Sequence, residues 1–147
     1  MTSHRKGPGW DVPAPEYGGS LPRVTVNLLV HDVARAAAFL RVVLEAEVRH
    51  RDVDFAAIRI GGHDLMLHAD HAYDRHPWAH ELAGGRRRGL GAELRVFGLD
   101  PDAAAERARA FGAPVLGGPA DKPHGWREVW IEDPDGYVWA VGHAIRD

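Results

Sequence analysis

A four-residue turn between two short strand-like runs constrains this chain more than any other feature. The turn is Asp133-Pro134-Asp135-Gly136, and the runs are Arg127–Glu132 and Tyr137–Gly142. Proline presets φ at the second turn position, Asp133 can fold its carboxylate back onto the backbone, and Gly136 accepts the positive φ that closes a hairpin. The pattern therefore predicts a β-hairpin over residues 127–142.

The chain also repeats one pattern of elements at an offset of 68 residues, the separation of Asp32 from Asp100. Each copy begins with a strand, continues with an Asp helix cap and an alanine-rich amphipathic helix, and ends with three strand candidates. Gly112 is expected to end the second helix. The strand candidates are Val24–Val30, Glu47–Arg51, Phe55–Ile60 and Asp64–Ala69 in the first copy, and Glu93–Phe97, Pro114–Leu116, Arg127–Glu132 and Tyr137–Gly142 in the second.

The duplication predicts an α+β protein made of tandem βαβββ modules. We expect an irregular N-terminal arm over residues 1–22, a first module over 23–72, an inter-module linker over 73–90 and a second module over 91–147. The arm is expected to be irregular because it contains four prolines and four glycines.

Composition favours a compact soluble protein. The 147 residues, 45% of them hydrophobic, suffice for one domain or for two small modules that share a core. The sequence has no run of about 18 apolar residues, so we expect no membrane span. Its N-terminus has no apolar stretch of the kind found in a secretory signal. The absence of cysteine excludes disulfides and is compatible with the cytoplasm, where we expect the protein. A net charge of −3 gives no footprint for nucleic acid.

Three motifs, taken in order, resemble the vicinal oxygen chelate superfamily, which includes glyoxalase I, extradiol dioxygenases and bleomycin-resistance proteins. They are Asn27–Asp32 (NLLVHD), Gly91–Val96 (GAELRV) and Trp126–Tyr137 (WREVWIEDPDGY), and the resemblance covers about residues 23–143. It implies mixed sheets that curl into a cup, helices on the outer face, and a ligand site enclosed by paired modules.

The resemblance also implies where family enzymes hold a divalent metal, through His or Glu at four strand positions. One ligand lies seven residues before each helix-capping Asp, another lies seven residues after the first Asp of the turn, and the fourth lies on the strand Asp64–Ala69. These positions are Thr25, Glu93, Ala140 and Met66, with His68 on the same face as Met66. Only Glu93 and His68 are good ligands, so no cofactor is expected and a divalent metal is disfavoured.

Strand alternation predicts the side chains that line the cup. Those of the first module are Thr25, Asn27, Leu29, Arg59, Met66 and His68; those of the second are Glu93, Arg95, Phe97, Glu128, Trp130, Val138 and Ala140. Phe97 and Trp130 can stack on a planar ligand. Arg95, Glu93 and Glu128 either pair with one another or contact a cationic, hydroxylated ligand.

Five of the ten histidines fall between Gly62 and Glu81. His76 and His80 have the spacing that zinc sites use on a helix, but Pro77 favours a position for His76 before the helix. A polar, exposed inter-module segment is the simpler interpretation. His68 either lines the pocket or is a hydrogen-bonded buried imidazole.

Two hypotheses about function follow. In the first, a glyoxalase- or bleomycin-resistance-like protein binds a small aromatic or drug-like molecule in the inter-module cup without a metal. In the second, the chain is a lyase, isomerase or dioxygenase that uses a rearranged metal site of Glu93 and His68, or Glu93 alone as a catalytic general base. Because half-cups and open sheet edges favour pairing, we expect a homodimer, with no nucleic-acid or membrane partner.

Overall fold

A computed structural model describes residues 12–145, which form an α+β fold with two four-stranded mixed sheets. The elements are α1 (Ala14–Ser20), β1 (Asn27–Val30), α2 (Val33–Leu44), β2 (Glu47–Arg51), β3 (Phe55–Ile60), β4 (His63–Ala69), α3 (Ala79–Ala83), β5 (Glu93–Phe97), α4 (Pro101–Phe111), β6 (Val115–Lys122), β7 (Trp126–Glu132) and β8 (Val138–Ala144). A 3₁₀ turn, Asp70–Tyr73, follows β4. The predicted tandem βαβββ order is confirmed.

The two sheets have the same topology. The strand order is β1-β4-β3-β2 in the first sheet and β5-β8-β7-β6 in the second, and in each the first strand pairs in parallel with the last. The chain divides into two compact units: the first contains the residues up to Ala38 and Ala46–Arg86, and the second contains Phe39–Glu45 and the residues from Arg87 onward. Among the described residues, no helix has the length and apolar character needed to cross a membrane.

Alternation along the strands sends the apolar side chains of the second sheet to one face, which α4 covers. Val129, Ile131 and Trp139 on that face are at most 2% exposed. The alanines of α4 that are fully buried are Ala104, Ala105 and Ala108. Burial of each large apolar side chain contributes about 1.5–3 kcal/mol, so this face anchors the second unit.

The predicted helix ends are confirmed. Asp32 Oδ1 accepts a hydrogen bond from the Arg35 amide at 3.1 Å, and Asp100 Oδ1 accepts one from the Asp102 amide at 2.9 Å. Each carboxylate satisfies an N–H group that has no partner within its helix. Gly112, with φ of 91°, ends α4 in the left-handed conformation that favours glycine.

The predicted turn between β7 and β8 is formed, and one carboxylate organises it. The Gly136 amide donates to the Asp133 carbonyl at 3.1 Å. Asp133 Oδ1 accepts from the amides of Asp135 at 2.9 Å and Tyr137 at 3.0 Å, and Oδ2 accepts from Trp139 Nε1 at 3.1 Å. Asp133 is 8% exposed, and this burial raises its pKa to about 6.

The arm is less irregular than expected, because α1 forms within it. Pro15 lies in the first turn, where its fixed φ favours a helix, and Tyr17 supplies the one buried side chain of α1. Residues 1–11 of the expected arm lie outside the described part of the chain.

Two strand boundaries differ from expectation by three residues or more. β1 begins at Asn27 rather than Val24, because the Thr25 hydroxyl donates to the Pro22 carbonyl at 2.8 Å and closes a turn ahead of the strand. β6 continues to Lys122 rather than ending at Leu116. Its register shifts twice between Val115 and Ala120, and such bulges let a strand continue through glycines.

The expected linker is partly structured as well. It contains α3, and its residues from Arg87 onward belong to the second unit. The Arg88 amide donates to the Asp135 carbonyl at 3.3 Å, and the Arg88 guanidinium lies 3.7 Å from the Asp135 carboxylate. A Cβ on Gly136 would lie 2.9 Å from Arg87 Cγ, so this packing requires a glycine in the turn.

Asp133→Asn tests the effect of burial on the turn. The protonated form of Asp133 is favoured in the fold, so its stabilisation is full below pH about 4 and is lost as the pH rises through about 6. The amide cannot ionise. The free energy of unfolding of the wild type, relative to that of the variant, should therefore fall by about 2 kcal/mol from pH 4 to pH 7 in urea titrations.

Asp102→Asn is the matched control with the opposite sign. The hydrogen bond from Arg127 lowers the pKa of Asp102, so its stabilisation is lost as the pH falls below about 4. If the free energy of unfolding had the same pH dependence in the wild type and in Asp133→Asn, the predicted effect of burial would be contradicted.

Candidate functional site

The face of the second sheet opposite α4 carries an aromatic surface. Phe97 is 49% exposed and stacks on Trp126, with ring centroids 4.6 Å apart and an interplanar angle of 24°. Trp130 is partly exposed, and the Lys122 ammonium lies 4.4 Å from its ring centroid. A Cβ on Gly117 would lie 3.0 Å from Trp130 Cε3, so the missing side chain lets the indole lie close to β6. One half-exposed ring, Phe97, and one partly exposed ring, Trp130, are thus available to a planar group.

A charged cluster lies on the same face. Arg95 Nη1 donates to Glu93 Oε1 at 2.6 Å, and Nη2 donates to Glu128 Oε2 at 2.8 Å. The hydrogen bond to Glu93 is the main cause of a raised pKa for Arg95. The Glu128 side chain is only 4% exposed, so the guanidinium compensates a carboxylate that has lost its water. The sequence left two alternatives for these side chains, which were pairing with one another and contact with a ligand. The structure shows the pairing.

Strand pairing brings the predicted second-module residues together. Ala140 pairs with Arg95 on one side and with Trp130 on the other. Ala140 is 1% exposed. Val138 pairs with Glu93 of β5 on one side and with Glu132 of β7 on the other. The predicted set on this face is Glu93, Arg95, Phe97, Glu128, Trp130, Val138 and Ala140.

The corresponding face of the first sheet is filled by the chain itself. The Tyr17 ring, 4% exposed, meets Phe55 edge-on with centroids 5.6 Å apart. Ala57 and Met66 belong to the same apolar cluster. Of the residues predicted on this face, Met66 is therefore in contact with the N-terminal arm, and Thr25 lies before β1.

Asn27 and His68 form a hydrogen-bonded chain with Tyr73. Asn27 Nδ2 donates to the Tyr73 hydroxyl at 2.8 Å, and Asn27 Oδ1 lies 2.6 Å from His68 Nδ1. Because Asn27 Oδ1 can only accept, this hydrogen bond requires a proton on His68 Nδ1. His68 is 3% exposed, and its ring centroid lies 5.0 Å from that of Phe55. It is thus a hydrogen-bonded buried imidazole.

Other histidines of the first unit pair with carboxylates. The pairs are His31–Asp70 at 3.3 Å, His50–Asp52 at 2.8 Å and His71–Asp54 at 2.5 Å. Some of these side chains line an open cavity of about 600 Å³ at the start of α2. His80 lies on α3 and His76 before it, as Pro77 predicts.

A protein-family comparison identifies the superfamily. The family model described as the Glyoxalase/Bleomycin resistance protein/Dioxygenase superfamily matches residues 22–141. The chain belongs to this superfamily. The family resemblance inferred from the three motifs is confirmed.

Solved structures of this superfamily share the fold. A glyoxalase/bleomycin resistance protein/dioxygenase from Nocardioides is 26% identical, with 86% of each chain covered and a TM-score of 0.64. A family enzyme from Burkholderia phytofirmans PsJN is 21% identical over 82% of this chain and 97% of its own, with a TM-score of 0.67. A fosfomycin resistance protein from Listeria monocytogenes is 14% identical over 86% and 93%, with a TM-score of 0.62. No curated protein matches the chain.

The side chains at the superfamily's metal positions do not fit a divalent metal. Thr25 already donates its hydroxyl to Pro22, Met66 offers only a thioether, and Ala140 has no donor atom. Hard and borderline divalent ions need carboxylate or imidazole ligands. Within residues 12–145, no three His, Asp or Glu side chains group in a way that could hold a metal ion.

The predicted cup-facing set omits several side chains of these faces, among them Phe55 and Ala57 on β3 and Glu132 on β7. Trp126 was placed just outside its strand, although it has the parity of Glu128 and Trp130. Lys122 was missed because β6 was expected to end at Leu116. Tyr17 lay in a segment with no visible periodicity, and Tyr73 lies in a 3₁₀ turn.

Arg95→Ala tests whether the charged cluster supports the fold. Removing the guanidinium leaves Glu128 buried beside no cation, which should lower the free energy of unfolding by about 2–3 kcal/mol in urea titrations at pH 7. Arg127→Ala, which breaks pairs with the more exposed Asp102 and Asp121, should lower the free energy of unfolding much less, because water screens exposed ion pairs.

The double variant Arg95→Ala/Glu128→Gln should regain part of that loss, because the glutamine leaves no buried charge. Equal, small losses for Arg95→Ala and Arg127→Ala would mean that Glu128 keeps its hydration.

Proposed function

We propose that this superfamily member binds a planar aromatic or drug-like small molecule, without a metal, on the face of the second sheet opposite α4. One observation carries the proposal: half-exposed Phe97, stacked on Trp126, lies on the same face as Trp130. Large aromatic side chains left open to water beside charged groups are typical of small-molecule sites.

The polar side chains of this face suit a ligand with hydrogen-bonding groups around a ring. The Arg95 guanidinium is 37% exposed and lies 5.1 Å from the Phe97 ring centroid. Lys122 presents an ammonium above Trp130, and Trp130 Nε1 is a buried donor with no partner among the described residues. A ligand acceptor that reached this donor would remove the cost of leaving it unpaired.

The enzymatic alternative ranks second. It needs either a metal, which the donor set does not fit, or Glu93 as a general base. The Arg95 guanidinium donates a hydrogen bond to Glu93 Oε1 at 2.6 Å, so this oxygen is already occupied and is not available to accept a proton from a substrate in this arrangement. The homodimer remains part of the proposal, because β1, β2, β5 and β6 are edge strands of their own sheets.

A planar ligand on this face should quench tryptophan fluorescence and raise the melting temperature. Ligand at about 100 times its dissociation constant stabilises the fold by roughly 2.7 kcal/mol. Bleomycin-type glycopeptides and smaller aromatic antibiotics are the first compounds to test, chosen because the superfamily includes resistance proteins. Trp130→Ala should abolish both the quenching and the thermal shift.

Trp139→Phe is the matched control. Trp139 is 2% exposed on the α4 side and donates to Asp133, so its replacement should cost about 1 kcal/mol in stability and leave binding unchanged. Equal binding by wild type and Trp130→Ala would remove the second-sheet face from the proposal.

Elemental analysis tests the metal-free part of the proposal. Tag-free protein purified without chelator should contain far less than one Zn, Ni, Fe or Mn per chain, because three of the four superfamily positions lack a suitable ligand. One equivalent of metal, lost in Glu93→Ala, would replace this proposal with the enzymatic one.

A further inference from the structure

The chain supplies its own occupant for the face of the first sheet. Tyr17 is the one buried side chain of α1, and it packs with Phe55 and Ala57. Val12 and Leu21, at either end of the helix, are partly buried against the same cluster. We call the segment Val12–Leu21 the cover.

The covered position corresponds to that of Trp130 in the second sheet. Ala57 pairs with Met66 across β3 and β4, as Trp130 pairs with Ala140 across β7 and β8. In the second sheet the aromatic ring belongs to the strand. In the first sheet the corresponding residue is Ala57, whose methyl group is too small to fill the same space. The ring of Tyr17, from the N-terminal arm, fills it instead.

The cover is built to be displaceable. α1 has only seven residues, and Pro13 at its N-cap makes no side-chain capping bond. Gly18 and Gly19 each cost a helix interior about 1 kcal/mol relative to alanine. Its backbone hydrogen bonds from Tyr17 to Pro13 and from Leu21 to Gly18 run within the segment. A helix this short does not persist alone in water, so its position depends on the Tyr17 anchor.

We propose that Tyr17 acts as a self-supplied ligand: the face of the first sheet is a binding site for a phenol-sized aromatic group, and an external aromatic molecule displaces the cover to reach it. The cover then lowers the apparent affinity of the site by the fraction of molecules in which it is open. None of the residues involved belongs to the second-sheet face, and the experiments below therefore use variants of the first unit, with one control variant in the second, so that their outcome does not depend on the function proposed above.

The free form of the tyrosine side chain, 4-methylphenol, is the direct probe. Met66 packs against the cluster, and Met1 is the only other methionine, so ¹³C-methyl labelling of methionine gives a near-unique reporter. Titration should shift the Met66 methyl resonance in Tyr17→Ala, with a dissociation constant at least about tenfold below that of the wild type, because no internal ring competes.

Two variants test competition in the opposite direction and the site of binding. Gly18→Ala/Gly19→Ala strengthens α1, since a Cβ at either position meets nothing within 4 Å, and should weaken binding about threefold or more. Tyr137→Ala removes the same side chain from the second unit and should titrate like the wild type. In the wild type, saturating 4-methylphenol should speed hydrogen exchange of residues 14–20.

The proposal is overturned if folded Tyr17→Ala shows no shift of Met66, or if the wild type, Tyr17→Ala and the glycine variant bind equally. It is also overturned if saturating 4-methylphenol leaves the exchange of residues 14–20 unchanged. Should Tyr17→Ala fail to fold, the glycine variant and the exchange measurement decide the question alone.

Discussion

The fold depends on the alternation of side chains along its strands, because that alternation gives each sheet one face to bury and another to use. On β7, Val129 and Ile131 face α4 while Glu128 and Trp130 face away. A slip of one residue would exchange the two sets and place a carboxylate in the core. The turn at Asp133 opposes such a slip, since one carboxylate holds two turn amides and the Trp139 indole of the next strand.

The two units meet the same requirement with different side chains. Phe55 in the first sheet occupies the position that Glu128 has in the second sheet, and Ala57 occupies the position that Trp130 has. The first face is therefore apolar and is covered by Tyr17. The second face keeps the Phe97 ring half-exposed, and its buried Glu128 carboxylate pairs with the Arg95 guanidinium. The two sheets thus share one backbone pattern, and different residues at a few corresponding strand positions give their faces different chemistry.

Most of the fold followed from local signals in the sequence. The Asp32 and Asp100 caps, the Asp-Pro-Asp-Gly turn and strand parity are set by neighbouring residues, so these features could be predicted from the sequence, whereas Trp126, Lys122 and Glu132 of the second-sheet face were not. What failed depends on distant contacts. α1 exists because Tyr17 reaches β3, and β6 continues past Gly117 because β7 lies beside it. Neither contact has a periodic signature that a sequence pattern could reveal.

Ala140 explains why the second face lacks a metal ligand and also why its aromatic and charged side chains fit together. It is 1% exposed and pairs with both Arg95 and Trp130. A histidine or glutamate at this position would have to displace one of those side chains, because the space beside an alanine in a packed sheet is small. Arg95 in turn takes the carboxylate of Glu93, the remaining metal position with a good ligand. A metal-ligating side chain at position 140 and the present packing of Arg95 and Trp130 beside Ala140 are thus alternative ways to fill the second-sheet face.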